Sequence, residues 1–557
     1  MDAKQFMPKK RFTRSDVEQL LTLSLLNQPD AATLLKQVLT GLIARKPASV
    51  AITKAWHDAL LFIHAYPCNK TILHLAEQGL IHTSNHVASI MNNGRDNDRR
   101  SLSGTGIAGS MITSQFSFPI TKWLLQKFPA DVSMDSAAGN AEAGGTVLHR
   151  LFPRIEYYYT TQGNISLTKR IESLTGKQQV LQKLISTFEE RIPDEHLQDI
   201  HFDSMQVFTS WRLDHPVFNR SFIRGISLPV FYHRKIIKQV DLAAVLKKPL
   251  PERIKLSHQQ CIYLMDVAKA SLAFYSRETE PITLAGASAV QLFSCGRGLA
   301  IALFGIKAER RLSLESYIGY MVFKNNIPVA YGGGWLFGDR CKIGLNVYPP
   351  FRKGESAVLF AEVLRLYHRL YNVQRFVVKP YQFGKGNKEG LQSAAFWFYY
   401  KLGFRPQKEA IAALAEAEYK SGRRSTMKLL KQFTGSSLEL SLNPLLPGDM
   451  DPEHISAMIT KMILNKFNGS RVLALKTCSS RLQKQLQVKD IPVHELLFNE
   501  FSLLCNLVPD LDKWEPAEKK KLLMLLKAKT QGDEAYIKQV QCCRNLVWGI
   551  YKALRKL

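Results

Sequence analysis

The chain lacks any uninterrupted apolar run of about 18 residues, the length a helix needs to cross a bilayer. Gln19 to Leu26 is too short to span a bilayer and is not followed by a small-residue cleavage site. Asp16 and Glu18 separate it from Lys9, Lys10 and Arg11, so no signal peptide is expected. Cysteine is sparse and scattered. Cys68, Cys261, Cys295, Cys341, Cys478, Cys505, Cys542 and Cys543 form no C-x-x-C pair, which excludes a disulfide framework and predicts a reducing, cytoplasmic setting. His82 and His86 stand four apart with no Glu after His82, so no metal pair is expected. Acidic residues are few: 47 Asp and Glu stand against 75 Lys and Arg, a formal charge of +28. That excess attracts polyanions such as nucleic acid, anionic lipid or phosphate-bearing cofactors. The charge is spread along the chain with no long basic tail, which favours a solvated basic surface over a nucleic-acid partner.

What is present is a folded protein of several parts. Hydrophobic residues make up 46% and charged residues 22%, which excludes large-scale disorder. At roughly 100–200 residues per domain, 557 residues predict about three or four units. Residues 1–135 read as a mainly helical region, from apolar residues at helical spacing such as Leu34, Leu35, Val38, Leu39 and Leu42. Within it, Met91 to Gly109 reads as a loop and Phe116 to Phe128 as an apolar helix. Residues 136–255 form a connecting region of mixed type. Ser136 to Gly145 reads as a loop, and Thr168 to Arg191 as one amphipathic helix. Tyr157-Tyr158-Tyr159, close to Arg150 and Arg154, reads as a half-buried strand in preference to a base-stacking platform. Residues 256–430 carry strand-like alternation, with strands ending after about Thr426. Residues 440–557 read as a C-terminal helical bundle. Gly104-Thr105-Gly106-Ile107-Ala108-Gly109 matches G-x-G-x-x-G literally, but no strand precedes it, so a dinucleotide site is rejected.

The chemistry concentrates between Tyr317 and Arg405. Tyr317 to Phe323 and Ile327 to Tyr331 flank Asn325-Asn326, a two-residue hairpin turn. Cys341, Ile343, Leu345 and Val347 then alternate with Lys342, Gly344 and Asn346, a strict period of two. Pro349-Pro350 stops the sheet, and Phe351-Arg352-Lys353-Gly354-Glu355-Ser356 opens a helix running to about Leu370. A helix N-terminus offers unpaired amides and about half a positive charge. Arg352 and Lys353 add formal charge, and Gly354 would let the backbone approach a phosphate. A strand from Arg375 to Pro380 follows, then a helix from about Gly390 to Lys401 stopped by Gly403 and Pro406.

This order, closing on Phe398-Tyr399-Tyr400-Lys401-Leu402-Gly403-Phe404, resembles the second half of a GNAT-superfamily N-acyltransferase. Such domains carry a phenylalanine–tyrosine–x–lysine–leucine–glycine–phenylalanine signature in their last helix. The resemblance covers about 90 to 150 of the 557 residues. It implies a central mixed, mostly antiparallel sheet flanked by helices, which with the helical N-terminal region and C-terminal bundle read above makes the expected fold α+β with helical additions. It also implies transfer of an acetyl or other acyl group from acyl-coenzyme A to an amine of an unidentified acceptor, with no metal. Tyr399 would protonate the departing thiolate. Val347, Arg352, Lys353, Gly354, Glu355, Ser356, Asn387 and Gln392 would hold the acyl-CoA. The strand ending at Val347 would splay from Arg375–Pro380 and expose its amides to the thioester. Phe351 stands where the family's loop has Gln or Arg, Ser356 where it has Gly or Ala, and Gln392 where it often has Asn. Glu315 and Asp339 are the nearest acidic residues to serve as base, with His368 less favoured. The alternative is an inactive GNAT-like fold serving as a basic binding or scaffold protein for RNA or for a protein partner.

Overall fold

The computed structural model describes residues 11–26, 29–447, 450–488 and 493–555. Its centre is a nine-stranded sheet. In spatial order the strands are Arg405–Pro406, Leu438–Ser441, Arg375–Val378, Arg340–Val347, Ile327–Phe337, Ser316–Lys324, Leu299–Ile306, Ala285–Gly296 and Glu252–Ile254. Every neighbouring pair is antiparallel except Arg340–Val347 with Arg375–Val378, which run parallel. The chain is therefore a mixed helix-and-sheet protein built on a mostly antiparallel sheet. No helix among the described residues is long and apolar enough to cross a membrane.

Local chemistry accounts for the middle of the sheet. Asn325 and Asn326 take φ of 45° and 68°, the left-handed pair a two-residue hairpin requires, and Lys324 faces Ile327 across the turn. The Asn325 side chain also donates to the carbonyls of Ala65 and Phe231, at 2.9 and 3.0 Å. The turn thereby fixes the N-terminal helices to the sheet. The helix Ser356–Tyr371 buries Leu359, Val363 and Leu366, and also Phe360, Leu364 and Tyr367. The helix is buried on nearly every side, including Glu362 and Arg365, which pair with each other at 2.6 Å. One side meets the sheet, where the Tyr367 hydroxyl donates to the Ile318 carbonyl, and another meets the helix Leu242–Lys247. Each fully buried apolar side chain contributes about 1.5–3 kcal/mol.

The opposite face of the sheet packs on a second core. This one is organised by a three-stranded antiparallel sheet in the order Met111–Gln115, Val207–Arg212, Val132–Ala137. A third core joins the C-terminal helices to Phe337 and Leu446.

Several local expectations are corrected. Met91 to Gly109 is mostly helix, since one helix runs through Asn93 and a second covers Asp96–Leu102. Ser136 to Gly145 is the end of a strand and the start of the helix Ala141–Leu151, which Asn140 caps. The boundary placed between residues 135 and 136 falls inside that strand. Thr168 to Arg191 is two helices, separated at Gly176 with φ 84°. Tyr157 to Tyr159 lie in a single helical turn, Tyr157–Thr160. Strands do not end at Thr426, because Leu438–Ser441 pairs on both sides. Gly104, Gly106 and Gly109 all have positive φ, and their loop leads into the strand Met111–Gln115. A dinucleotide fingerprint would open a helix there.

Candidate functional site

The strand Arg340–Val347 loses its parallel partner halfway along. Only Arg340, Cys341 and Lys342 pair, with Arg375, Phe376 and Val377. From Ile343 to Val347 the opposite edge stays paired with Ile327–Phe337. The second strand ends at Val378, so Ile343 to Val347 run on without a strand partner on that edge among the described residues, and this loss of pairing is the splay. Pro380 turns the second one into the short 3-10 helix Pro380–Phe383. The Gln382 amide lies against Gly344, where a Cβ would sit 2.5 Å from its carbonyl carbon. Gly332 and Gly334 next door lie beneath the rings of Tyr320 and Tyr367, and the Tyr320 hydroxyl donates to the Gly344 carbonyl. Glycines in this stretch make room for side chains that brace the splayed strand.

Tyr399, on the helix Ala395–Lys401, reaches this opening and is 2% exposed. Burial pushes its hydroxyl up to about 12, while the backbone amide of Leu345 beside it works the other way. A phenol and an open strand edge thus meet at Leu345, two residues before the expected Val347. The Val347 carbonyl instead accepts from Arg352 Nε at 3.2 Å.

The loop that follows has two sides. On the inner side, the Glu355 carboxylate is fully buried. It accepts from Lys324 Nζ and Arg297 Nη2, each at 2.8 Å, and from the Ile237 amide at 3.0 Å. Burial raises its pKa, but the Lys324 charge and these hydrogen bonds outweigh that, so it stays below the ordinary carboxylate range. The Glu355 amide donates to the Tyr66 hydroxyl at 3.3 Å, and the Gly354 amide to the Phe351 carbonyl at 2.8 Å. Two expectations change accordingly. Glu355 is an anchor whose amide already has a protein acceptor. Gly354 is required by Tyr66, whose hydroxyl would lie 2.5 Å from an added Cβ.

On the outer side, Glu355 provides no side-chain cap for the helix. The amides of Ser356, Ala357 and Val358 have no acceptor among the described residues, and all three residues are half-buried. Lys353 is exposed, and its side chain makes no ion pair among the described residues. Its carbonyl and that of Gly354 accept from Lys238 Nζ. Arg352 pairs with Glu389, both about half exposed.

The remaining expected residues are not brought into this arrangement as ligands. Asn387 caps the short helix Lys388–Gln392, accepting from the Gly390 amide and donating to the Tyr381 carbonyl, each at 3.1 Å. Gln392 lies exposed at that helix's end. The suggested bases are committed elsewhere. Glu315 pairs with Lys342 at 2.8 Å, Asp339 accepts from the Leu445 and Leu446 amides, and His368 donates to the Val373 carbonyl at 2.7 Å.

A serine–histidine pair elsewhere is structural. His57 Nε2 lies 2.9 Å from Ser221 Oγ, but Nδ1 faces a guanidinium nitrogen of Arg220 at 3.2 Å. That assigns the ring proton to Nε2, so the histidine donates to the serine and cannot take its proton. A cavity of about 720 Å³ is lined by Asp339, Tyr371, Gln374, Lys521, Gln541 and Cys542 among others, and by none of the residues at the splay. No cluster of metal ligands occurs among the described residues. Scanned against models of known protein families, and compared with curated proteins and with solved structures, the chain matches none of them.

Proposed function

We propose that the chain is an acyl-CoA-dependent N-acyltransferase of the GNAT type. The observation that carries this reading is the splay itself. The parallel pairing stops after Lys342, and the open edge faces the Tyr399 hydroxyl at Leu345. In chain order that edge leads directly to a helix whose first three amides are uncapped. An elongated thioester with a pyrophosphate matches these two features. The pyrophosphate takes the amides of Ser356, Ala357 and Val358 and the charge of Lys353, while the pantetheine arm lies along the strand edge. The acceptor amine, unprotonated, attacks the thioester carbonyl. The C–N bond forms, the C–S bond breaks, and Tyr399 gives its proton to the leaving thiolate. The amine's proton passes to water, which restores the phenol. A phenol is already protonated at neutral pH, and burial raises Tyr399 further, so the proton is in place before the thiolate departs.

Calorimetry with acetyl-CoA and a coenzyme A release assay over a panel of amines and peptides test the reading. Tyr399→Phe should leave acetyl-CoA affinity unchanged and lower kcat/KM by about 100-fold or more. Absence of acetyl-CoA binding would sink the proposal. Binding without turnover on any acceptor would favour the inactive scaffold.

A further inference from the structure

A second cavity lies beside the core organised by the three-stranded sheet, and none of the residues at the splay lines it. It measures about 520 Å³ and is lined by His149, Arg150, Arg154, Arg191, Asp194 and His201, among others. Asp194, the one carboxylate in its lining, is already committed. It caps the helix Glu195–Met205 by accepting from the His196 and Leu197 amides at 2.8 and 3.0 Å. Arg150, Arg154 and Arg191 are exposed and make no ion pair among the described residues. Three guanidinium groups thus share one hollow without a free counter-charge in its lining.

Beside the hollow, the chain displays exposed apolar and aromatic side chains in one short stretch. Ile155 is 89% exposed and Tyr158 is 85% exposed, and Tyr157 is also exposed. Tyr157 stands edge-on to His149, with ring centres 4.6 Å apart, and edge-on to Tyr158 at 5.5 Å. The turn that carries these rings is held from below. Arg170, fully buried, donates to the Thr160 carbonyl at 2.6 Å and to the Ala141 carbonyl at 2.9 Å. Gly145 leaves the space that this guanidinium needs, since a Cβ there would lie 3.0 Å from it. A buried arginine spent on fixing one short turn makes the exposed rings a preorganised feature.

Open aromatic faces next to unpaired guanidinium groups suit a ligand that has both flat bases and phosphates. We propose that this pocket binds single-stranded nucleic acid, with phosphates among Arg150, Arg154 and Arg191 and bases stacked on Tyr158 and Tyr157. A bare phosphate would use the arginines and leave the rings without purpose. A duplex would hide the base faces that the rings require. The proposal is independent of the acyltransferase reading.

The test is fluorescence anisotropy with the full chain and a fluorescein-labelled uridine oligomer of about 20 nucleotides, enough to span a stacking platform. A thymidine oligomer of equal length is run in parallel, and inorganic polyphosphate serves as competitor. Tyr158→Ala, at an exposed position, should weaken oligomer binding by about 5- to 100-fold and leave polyphosphate binding unchanged. Arg150→Ala with Arg191→Ala should weaken both ligands and reduce the salt slope by about 1.4. The proposal is overturned if no oligomer binds, if Tyr158→Ala binds as tightly as the parent, or if the arginine variant is unaffected. Polyphosphate binding that matches the oligomer's in every variant also overturns it, since that describes an anion site only.

Discussion

The two sides of the loop from Arg352 to Val358 obey opposite rules. On the inner side the Glu355 carboxylate and amide both have partners, while the His233 ring nitrogens and Arg297 Nε buried beside them have no hydrogen-bond partner among the described residues. The Glu355 carboxylate is held by Lys324, Arg297 and the Ile237 amide, and its own amide is held by Tyr66. On the outer side, three helix amides and Lys353 are left open, and the Arg352–Glu389 pair is half exposed. The inner side therefore carries stability, and the outer side is where the proposed pyrophosphate would bind. Each substitution below should fall on one side of that division.

Glu355→Gln should have the largest effect. It leaves Lys324, whose side chain is fully buried, without its counter-charge. Removing one partner of a buried pair costs about 3–5 kcal/mol, read by urea or thermal unfolding. The parent protein should show the same interaction in its pH dependence. The folded pKa of Glu355 is depressed, so its contribution is present above the ordinary carboxylate pKa and is lost as pH falls through the folded value. Glu355→Gln should flatten that acid limb. An unchanged limb would show that the cluster does not anchor the loop.

Ser356→Asp should do the reverse. A carboxylate in the first turn of a helix is favourable to the helix, by about 0.3–1 kcal/mol. Stability should hold or rise slightly, while the added negative charge repels a phosphate. Acetyl-CoA affinity should fall by about 10-fold or more, as expected when a charge-assisted contact worth about 1.5–3 kcal/mol is lost. Equal affinity in parent and variant would move the pyrophosphate away from this helix end.

How much of this was legible beforehand depended on the distance between partners. The hairpin at Asn325-Asn326, the alternation from Cys341 to Val347 and the loop opening a helix are local patterns. Each could be read from residues a few positions apart. The inner anchors could not. Tyr66 and Glu355 are 289 positions apart, and Ile237 and Glu355 are 118 apart. No short spacing announces such pairs. One local signal did exist for Gln382: a glycine at position 344, inside a strict strand alternation, marks close approach by another group. Short elements were the other loss. The alternating residues Leu438 to Ser441 are a four-residue strand, too brief for periodicity to separate from a turn. Gly176, by contrast, stood in plain view as a break in the expected helix and is where it divides.

Gly354 tests the division where sequence and structure give it different reasons. The sequence suggests a glycine that lets a phosphate approach, whereas the structure shows Tyr66 against it. Gly354→Ala should destabilise by about 1–3 kcal/mol, as overpacking does. In a Tyr66→Ala background the same change should cost much less, a coupling that a double-mutant cycle measures directly. If Gly354→Ala instead weakens acetyl-CoA binding equally in both backgrounds, the glycine belongs to the outer side.

The smallest effect is expected for Glu389→Gln, and it is the most discriminating on the outer side. The Arg352–Glu389 pair is half exposed, so stability should change by no more than about 1 kcal/mol. The freed guanidinium remains beside the open amides, tethered by Arg352 Nε to the Val347 carbonyl. If the loop receives a pyrophosphate, losing the competing carboxylate should tighten acetyl-CoA binding, and the gain should shrink with added salt. Arg352→Glu should abolish binding in the same assay. A Glu389→Gln variant that weakens binding would show that the carboxylate orients Arg352 toward its ligand, placing this pair with the inner anchors despite its exposure.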